Sequence, residues 1–291
     1  MLVVDTHQHF WPGSEDRSRG ALPDNRDRPA TPDELRPHLD RCRIGATVLV
    51  QTENRISHTR TLLRTAARED FVAAVCGWLP LRDAAATREA LGSLGDTSLL
   101  RAVRHVVGRP SDDGVDPDLS SPATVGALTA VAEHGLAFDV VCVTPEEIRQ
   151  AAALADRVPH LVVVLDHLGR PPVGETDPEP WFSAVSAAAR RSNVVVKVSA
   201  GGHLLSARPE WDADALGPYV EHVRAVFGAP RMMFASNWPV IRPVADYGAV
   251  FTGLSGLFSR WSAGERAAVL AGTACAVYGI GADGVRSLPG A

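Results

Sequence analysis

Eight short apolar runs, separated by segments with helical signals, constrain this chain more than any other feature of its 291 residues. The runs span 2–6, 47–51, 72–78, 102–106, 137–141, 161–166, 194–198 and 232–236. Several are unbroken Val/Leu stretches, the pattern of parallel strands covered on both faces. Between them, Thr31-Pro32-Asp33-Glu34 and Thr144-Pro145-Glu146-Glu147 put Thr at an N-cap, Pro at the first helical position and Glu at N3. Ser262-Ala263-Gly264-Glu265 repeats the capping box before a last helix, and Leu62, Leu63, Ala66 and Ala67 follow helical spacing. Strands alternating with helices predict a parallel sheet, and eight of them favour a closed (β/α)8 TIM barrel over an open doubly wound sheet. No G-x-G-x-x-G follows an early strand, which speaks against a dinucleotide site.

No linker divides the chain, so one barrel domain is expected over 1–291. Hydrophobic residues make up 45%, enough for a sizeable core if the chain folds as one unit. Long irregular stretches follow strands 1, 4, 6 and 7, at 11–30, 108–122, 169–180 and 199–218. In a barrel such loops gather over the C-terminal face, where chemistry occurs. The first carries Arg17, Arg19, Asp24, Arg26, Asp27 and Arg28 and reads as a solvated loop, with an anion-contacting lid as the alternative.

A formal net charge of -5 without long runs of one sign recommends no nucleic-acid partner. No basic segment followed by an apolar stretch opens the chain, and no apolar run reaches membrane-spanning length. Cys42, Cys76, Cys142 and Cys275 form no Cys-x-x-Cys, so reduced thiols in a cytoplasmic protein are expected. Homo-oligomerisation stays open.

Polar residues close the predicted strands: His7 and His9, Gln51, Trp78, Arg104 and His105, Asp139, Asp166 and His167, Lys197, and Asn237 followed by Trp238. In a strand, residues two apart face the same way, so His7 and His9 would converge to hold a divalent metal or grip a polar substrate. His7, His9 and His167 would give the three ligands of a mononuclear zinc site with an open position for water. Zinc lowers the pKa of bound water toward about 7. Lys197 and Arg104 are read as cations at the site mouth, orienting a carboxylate or steadying an oxyanion. Arg104 has a second reading, as a structural partner of Asp139 or Asp166. His105 is either a ligand donor or a hydrogen-bonded core histidine. Gln51, Trp78 and Trp238 are weaker substrate-contact candidates, and His203 would reach the site from its loop. His38, His58, His134, His160 and His222 fall in or beside helical segments and receive no function.

The ordered set VVDTHQHFWP, GATVLVQ, VCGWLPL, RAVRHVV, AFDVV, VVLDHLGRPP, VVVKVSAGG and MMFASNWPV resembles the amidohydrolase-2 group of the amidohydrolase superfamily, in particular its L-fuconolactonase-like sugar-lactone hydrolases. The resemblance covers nearly the whole chain. It implies a distorted (β/α)8 barrel that opens a small lactone to the hydroxy acid. It assigns His7, His9 and His167 to the metal or substrate site and places Arg104, His105 and Lys197 around the substrate. Metal dependence varies within the group, so it implies either one divalent ion, zinc foremost, or none.

One departure stands out. The strand-eight motif of the group reads G-S-D-W-P-V, whereas this chain has Ala235-Ser236-Asn237-Trp238-Pro239-Val240. In the group that Asp is a metal contact and the base for water; an amide accepts no proton at neutral pH and ligates metal more weakly. A smaller departure is Gly272-Thr273-Ala274, where the group has Gly-Asn-Ala. Three readings of Asn237 follow. Hydrolysis proceeds with another base (His9, His105 or His203); the site performs decarboxylation, elimination or isomerisation of a cyclic acid; or it only binds a ligand.

Overall fold

The computed structural model describes residues 1–13, 28–107, 117–174, 177–201 and 211–287. Eight parallel strands follow one another in sequence order: β1 Val4–Gln8, β2 Ala46–Val50, β3 Val72–Gly77, β4 Leu100–Val106, β5 Ala137–Val141, β6 Val163–Leu165, β7 Val194–Val198 and β8 Met232–Phe234. This is the (β/α)8 barrel that the alternation predicts. β5 and β7 have their expected bounds, while β6 and β8 are shorter. β6 ends where Asp166–Gly169 enters a tight turn, and the chain beyond β8 leaves the ladder to close the barrel.

The helical signals act as read. Thr31 accepts a hydrogen bond from the Glu34 amide, and both capping boxes form, Thr144 with Glu147 and Ser262 with Glu265. Each such cap is worth about 1 kcal/mol. Alternation along the strands sorts the core into two layers. Val48, Val50, Ala74, Cys76, Ala102, Ala137, Val164, Val195 and Met233 pack inside the barrel. Leu49, Val75, Val103, Phe138, Val140, Val163, Val196 and Phe234 face the surrounding helices. By the same parity Arg104, Asp139, Asp166 and Lys197 point inward.

β8 pairs with β7, but β1 and β8 share no full ladder. Closure is made by the segment after β8. Asn237 N donates to His7 O and His9 N to Trp238 O, both at 2.9 Å. Buried Asp5 ties the seam: it accepts from Ser236 N at 2.8 Å, Ser236 Oγ at 2.6 Å and Tyr247 Oη at 2.9 Å. Burial pushes this carboxyl up against the pull of those bonds. At the opposite end, the C-terminal segment covers the barrel, Arg286 donating to Ile44 O at 3.0 Å.

Most of the expected loop residues, including Arg17, Arg19, Asp24, Arg26, Asp27 and His203, lie outside the described residues. Arg28 is described; it is exposed and pairs with Glu34 at 2.7 Å, as a solvated loop residue does. Among the described residues no helix is long and apolar enough to cross a membrane.

Candidate active site

Val4 packs inside the barrel, so in a regular strand His7, three residues on, would face outward. The β1–β2 register shifts between Asp5 and Gln8, and this irregularity turns His7 and His9 inward. Their Nε2 atoms lie 3.2 Å apart. His9 Nδ1 sits 2.8 Å from Val50 O; a carbonyl only accepts, so Nδ1 carries the proton and neutral His9 keeps its lone pair at Nε2. The His7 ring is fully buried, and burial with nearby Lys197 and His167 lowers its pKa well below the usual value against the pull of Asp166.

His167 arrives differently. It has φ 53°, and Leu168, Gly169 and Arg170 are also left-handed. For non-glycine residues this conformation costs about 1–3 kcal/mol each. The turn brings the His167 ring to 4.6 Å from His7, between centroids, and Nδ1 to 2.7 Å from Ser199 Oγ. His7, Asp166 and His167 offer ligand atoms within 4.8 Å of one another.

Beneath the histidines the barrel holds a stack of charge. Lys197 Nζ lies 2.5 Å from Asp139 and 3.1 Å from Asp166. It also lies 3.3 Å from His7 Nδ1, and Tyr278 Oη donates to Asp139 at 3.0 Å. Burial opposes the charge on Lys197, yet the two carboxylates outweigh it and raise its pKa. Burial likewise pushes Asp166 up, but Lys197, His7 and His167 hold its carboxyl well below the usual range. Exposure rises through the stack from 0% at Lys197 and His7 to 3% at His9, 7% at His167 and 9% at Arg104. Hence the depth of Lys197 corrects its expected place at the mouth. Of the two cations in the stack, Arg104 is the nearer to solvent. Its Nη1 is 3.2 Å from His7 Nε2 and 3.9 Å from Asp166, and Nη2 donates to Gln51 O at 3.0 Å. Gln51 Nε2 returns a bond to Arg104 O at 3.2 Å, so Gln51 holds the arginine.

Residues 4–280 match the Amidohydrolase family. The chain belongs to it. This amidohydrolase is 35% identical over 285 residues to an L-fucono-1,5-lactonase of Burkholderia ambifaria, with 95% of each chain covered. It is 30% identical to an L-fucono-1,5-lactonase of Burkholderia multivorans, with 96% of each covered. An amidohydrolase from Burkholderia multivorans crystallised with bound zinc has a TM-score of 0.85 at 28% identity, covering 97% of this chain and 100% of that one.

Two expected substrate contacts of this amidohydrolase lie away from the cluster. His105 follows Arg104 and therefore occupies the other face of β4. Its Nε2 donates to Leu79 O at 3.0 Å and its ring lies against Trp78 and Phe138. Trp238 is 1% exposed, packed edge-on to Phe10 and under the Arg242 guanidinium, so it is core. Trp78 is buried at the end of β3. Trp78 Nε1 and Gln51 Oε1 are buried without a hydrogen-bond partner among the described residues, a state folded proteins seldom leave unsatisfied.

Asn237 sits beside His7 with φ 57°, a conformation that Asn and Asp tolerate best among side chains bearing a Cβ. Its Nδ2 donates to Ala200 O at 2.8 Å, a bond that a carboxylate cannot make. Thr273, the other departure, donates to Pro230 O at 3.0 Å.

The donors fit a divalent ion. Nitrogens bound at about 2.0–2.1 Å in a tetrahedral zinc site lie about 3.3 Å apart. The His7 and His9 Nε2 atoms stand at 3.2 Å. His7 Nδ1 faces Asp166 at 3.4 Å, the carboxylate backing that metal-binding imidazoles favour. Asp166 belongs with the histidines, though its sequence position identifies only a strand-end carboxylate. Asp5 and Ser199 carry no signal beyond their nearness to the histidine and lysine motifs.

Proposed function

We propose that this amidohydrolase opens a small sugar-derived lactone to its hydroxy acid. The convergence of His7, His9, His167 and Asp166 toward the C-terminal ends of the strands carries the reading. Full-length similarity to two L-fucono-1,5-lactonases supports the substrate class. His9 Nε2, its tautomer fixed by Val50 O, takes a proton from water as the water oxygen attacks the lactone carbonyl. Arg104 donates to the developing oxyanion. As the ring C–O bond breaks, the proton held at His9 passes to the leaving alkoxide. Lys197 does not touch substrate; it keeps Asp166 ionised and His7 neutral from below. Trp78 Nε1 and Gln51 Oε1, a buried donor and a buried acceptor, suit the hydroxyls of a polyol ring. In place of His9 as base, His7, His9 and His167 would hold one divalent ion, with Asp166 backing His7; zinc suits the imidazole donors, and such an ion would supply Lewis acidity and a more acidic water. The four unpaired cysteines suit a cytoplasmic enzyme.

The test is proton release from a panel of 1,4- and 1,5-aldonolactones in weak buffer. Turnover that disappears in the His7→Ala/His9→Ala double variant is expected. Asn237 favours one rival, because it lacks the usual carboxylate base. Carbon dioxide release from a cyclic acid, without proton release from any lactone, would replace hydrolysis by decarboxylation on the same scaffold.

A further inference from the structure

His7 Nε2 has a single in-plane position for a partner, and two cations compete for it. A metal ion shared with His9 would take that lone pair. In this structure Arg104 Nη1 already approaches it at 3.2 Å. The guanidinium is not there by chance of a long, free side chain. Arg104 is 9% exposed, clamped by its bond to Gln51 O and by the reciprocal bond from Gln51 Nε2 to its own carbonyl. Asp166 draws the same Nη1 inward at 3.9 Å. Two histidine nitrogens facing each other at 3.2 Å, one of them certainly an acceptor when neutral, need a positive group or a shared proton between them. Arg104 brings a positive group to the His7 nitrogen of that pair.

We propose that Arg104 is a resident counter-cation for the His7–His9 pair, and that guanidinium and divalent metal occupy the site in mutual exclusion. Metal entry requires Arg104 to swing off His7, so the arginine sets how tightly the chain holds metal. Asn237 acts in the same direction, since no strand-eight carboxylate offsets the charge of an incoming ion. The readout is metal affinity without turnover, so its outcome is independent of the lactone reading.

The experiment titrates zinc into apo protein against a chelating dye, comparing wild type, Arg104→Met and Arg104→Lys. Like charges a few ångströms apart in a partly buried site repel strongly. Arg104→Met should therefore bind zinc about tenfold or more tightly than wild type, with Arg104→Lys between them. Equal or weaker binding by a folded Arg104→Met would overturn the proposal. A second measurement needs only a folded lysine variant. The Arg104 side-chain 15N–1H resonance, assigned by its loss in Arg104→Lys, is followed while zinc is added to wild type. Movement in step with zinc occupancy, or no uptake at millimolar zinc while Arg104→Lys takes zinc up, supports exclusion. An unmoved resonance at full occupancy contradicts it.

Discussion

Replacing Lys197 by Met separates a buried structural charge from a substrate-contacting one. Met matches the aliphatic stem and deletes only the ammonium. What remains is Asp139 and Asp166, both fully buried, with contacts of 2.5 and 3.1 Å lost at a stroke. Removing one partner of a buried ion pair costs about 3–5 kcal/mol, because the other charge is left uncompensated. For a chain of this size each kcal/mol moves the melting temperature by about 2 °C, so a drop of about 6–10 °C is expected. Urea unfolding followed by tryptophan fluorescence gives the free-energy change directly. The double variant Lys197→Met/Asp139→Asn should regain part of the loss, since it removes the orphaned charge nearest the lysine. A loss below about 1 kcal/mol, with a raised KM as the main effect, would refute the argument and return Lys197 to the substrate.

Three further outcomes follow from the same contacts. Asn237→Asp exchanges the amide's bond to Ala200 O for a carboxylate facing a carbonyl, so without metal it should lose about 1–3 kcal/mol by urea unfolding; zinc should restore more stability to it than to wild type, and an unchanged apo stability would show that the amide bond is dispensable. Asp5→Ala unties Ser236 and Tyr247 from the seam between β1 and β8, and hydrogen exchange at the His9 and Asn237 amides should accelerate more than at β4 or β5; uniform acceleration would make Asp5 a general stabiliser only. Lys197 has its pKa raised above 10.5 in the folded chain, so its contribution is complete below that pH and is lost as pH rises through the folded value; wild type should lose stability above about pH 10.5, and Lys197→Met should lack that component in parallel unfolding curves.

The strands were legible because burial on both faces writes itself as Val/Leu runs, and helix starts because capping needs particular side chains at fixed offsets. The site was legible as a set of strand-end polar residues, less so as an arrangement. His-x-His announces two imidazoles on one side, but the side itself depends on a register shift between Asp5 and Gln8 that no residue pattern displays. Of the two readings of His105, the core histidine holds, because adjacent strand residues take opposite faces and Arg104 already has the inner one. Lys197 was placed too near the solvent because sequence gives its position along β7 but not its depth beside Asp139 and Tyr278. His167 owes its place to a run of left-handed residues that only the Asp166–Gly169 turn reveals.

Charge balance gives a physical reason for the larger motif departure, Asn237. Asp139 and Asp166 face Lys197 and Arg104 within 3.9 Å, two negative groups against two positive ones, around neutral imidazoles. A carboxylate at 237 would add a third negative charge beside His7, tolerable when a divalent ion shares the site and costly when a guanidinium alone does. The amide keeps the balance and satisfies Ala200 O as well. On the proposed exclusion of metal by Arg104, Asn237 and Arg104 form one adaptation. The double variant Asn237→Asp/Arg104→Met should bind zinc more tightly than the two single variants predict by addition, the non-additivity expected of residues that meet at one ion. Strict additivity would show that the two positions answer to separate demands.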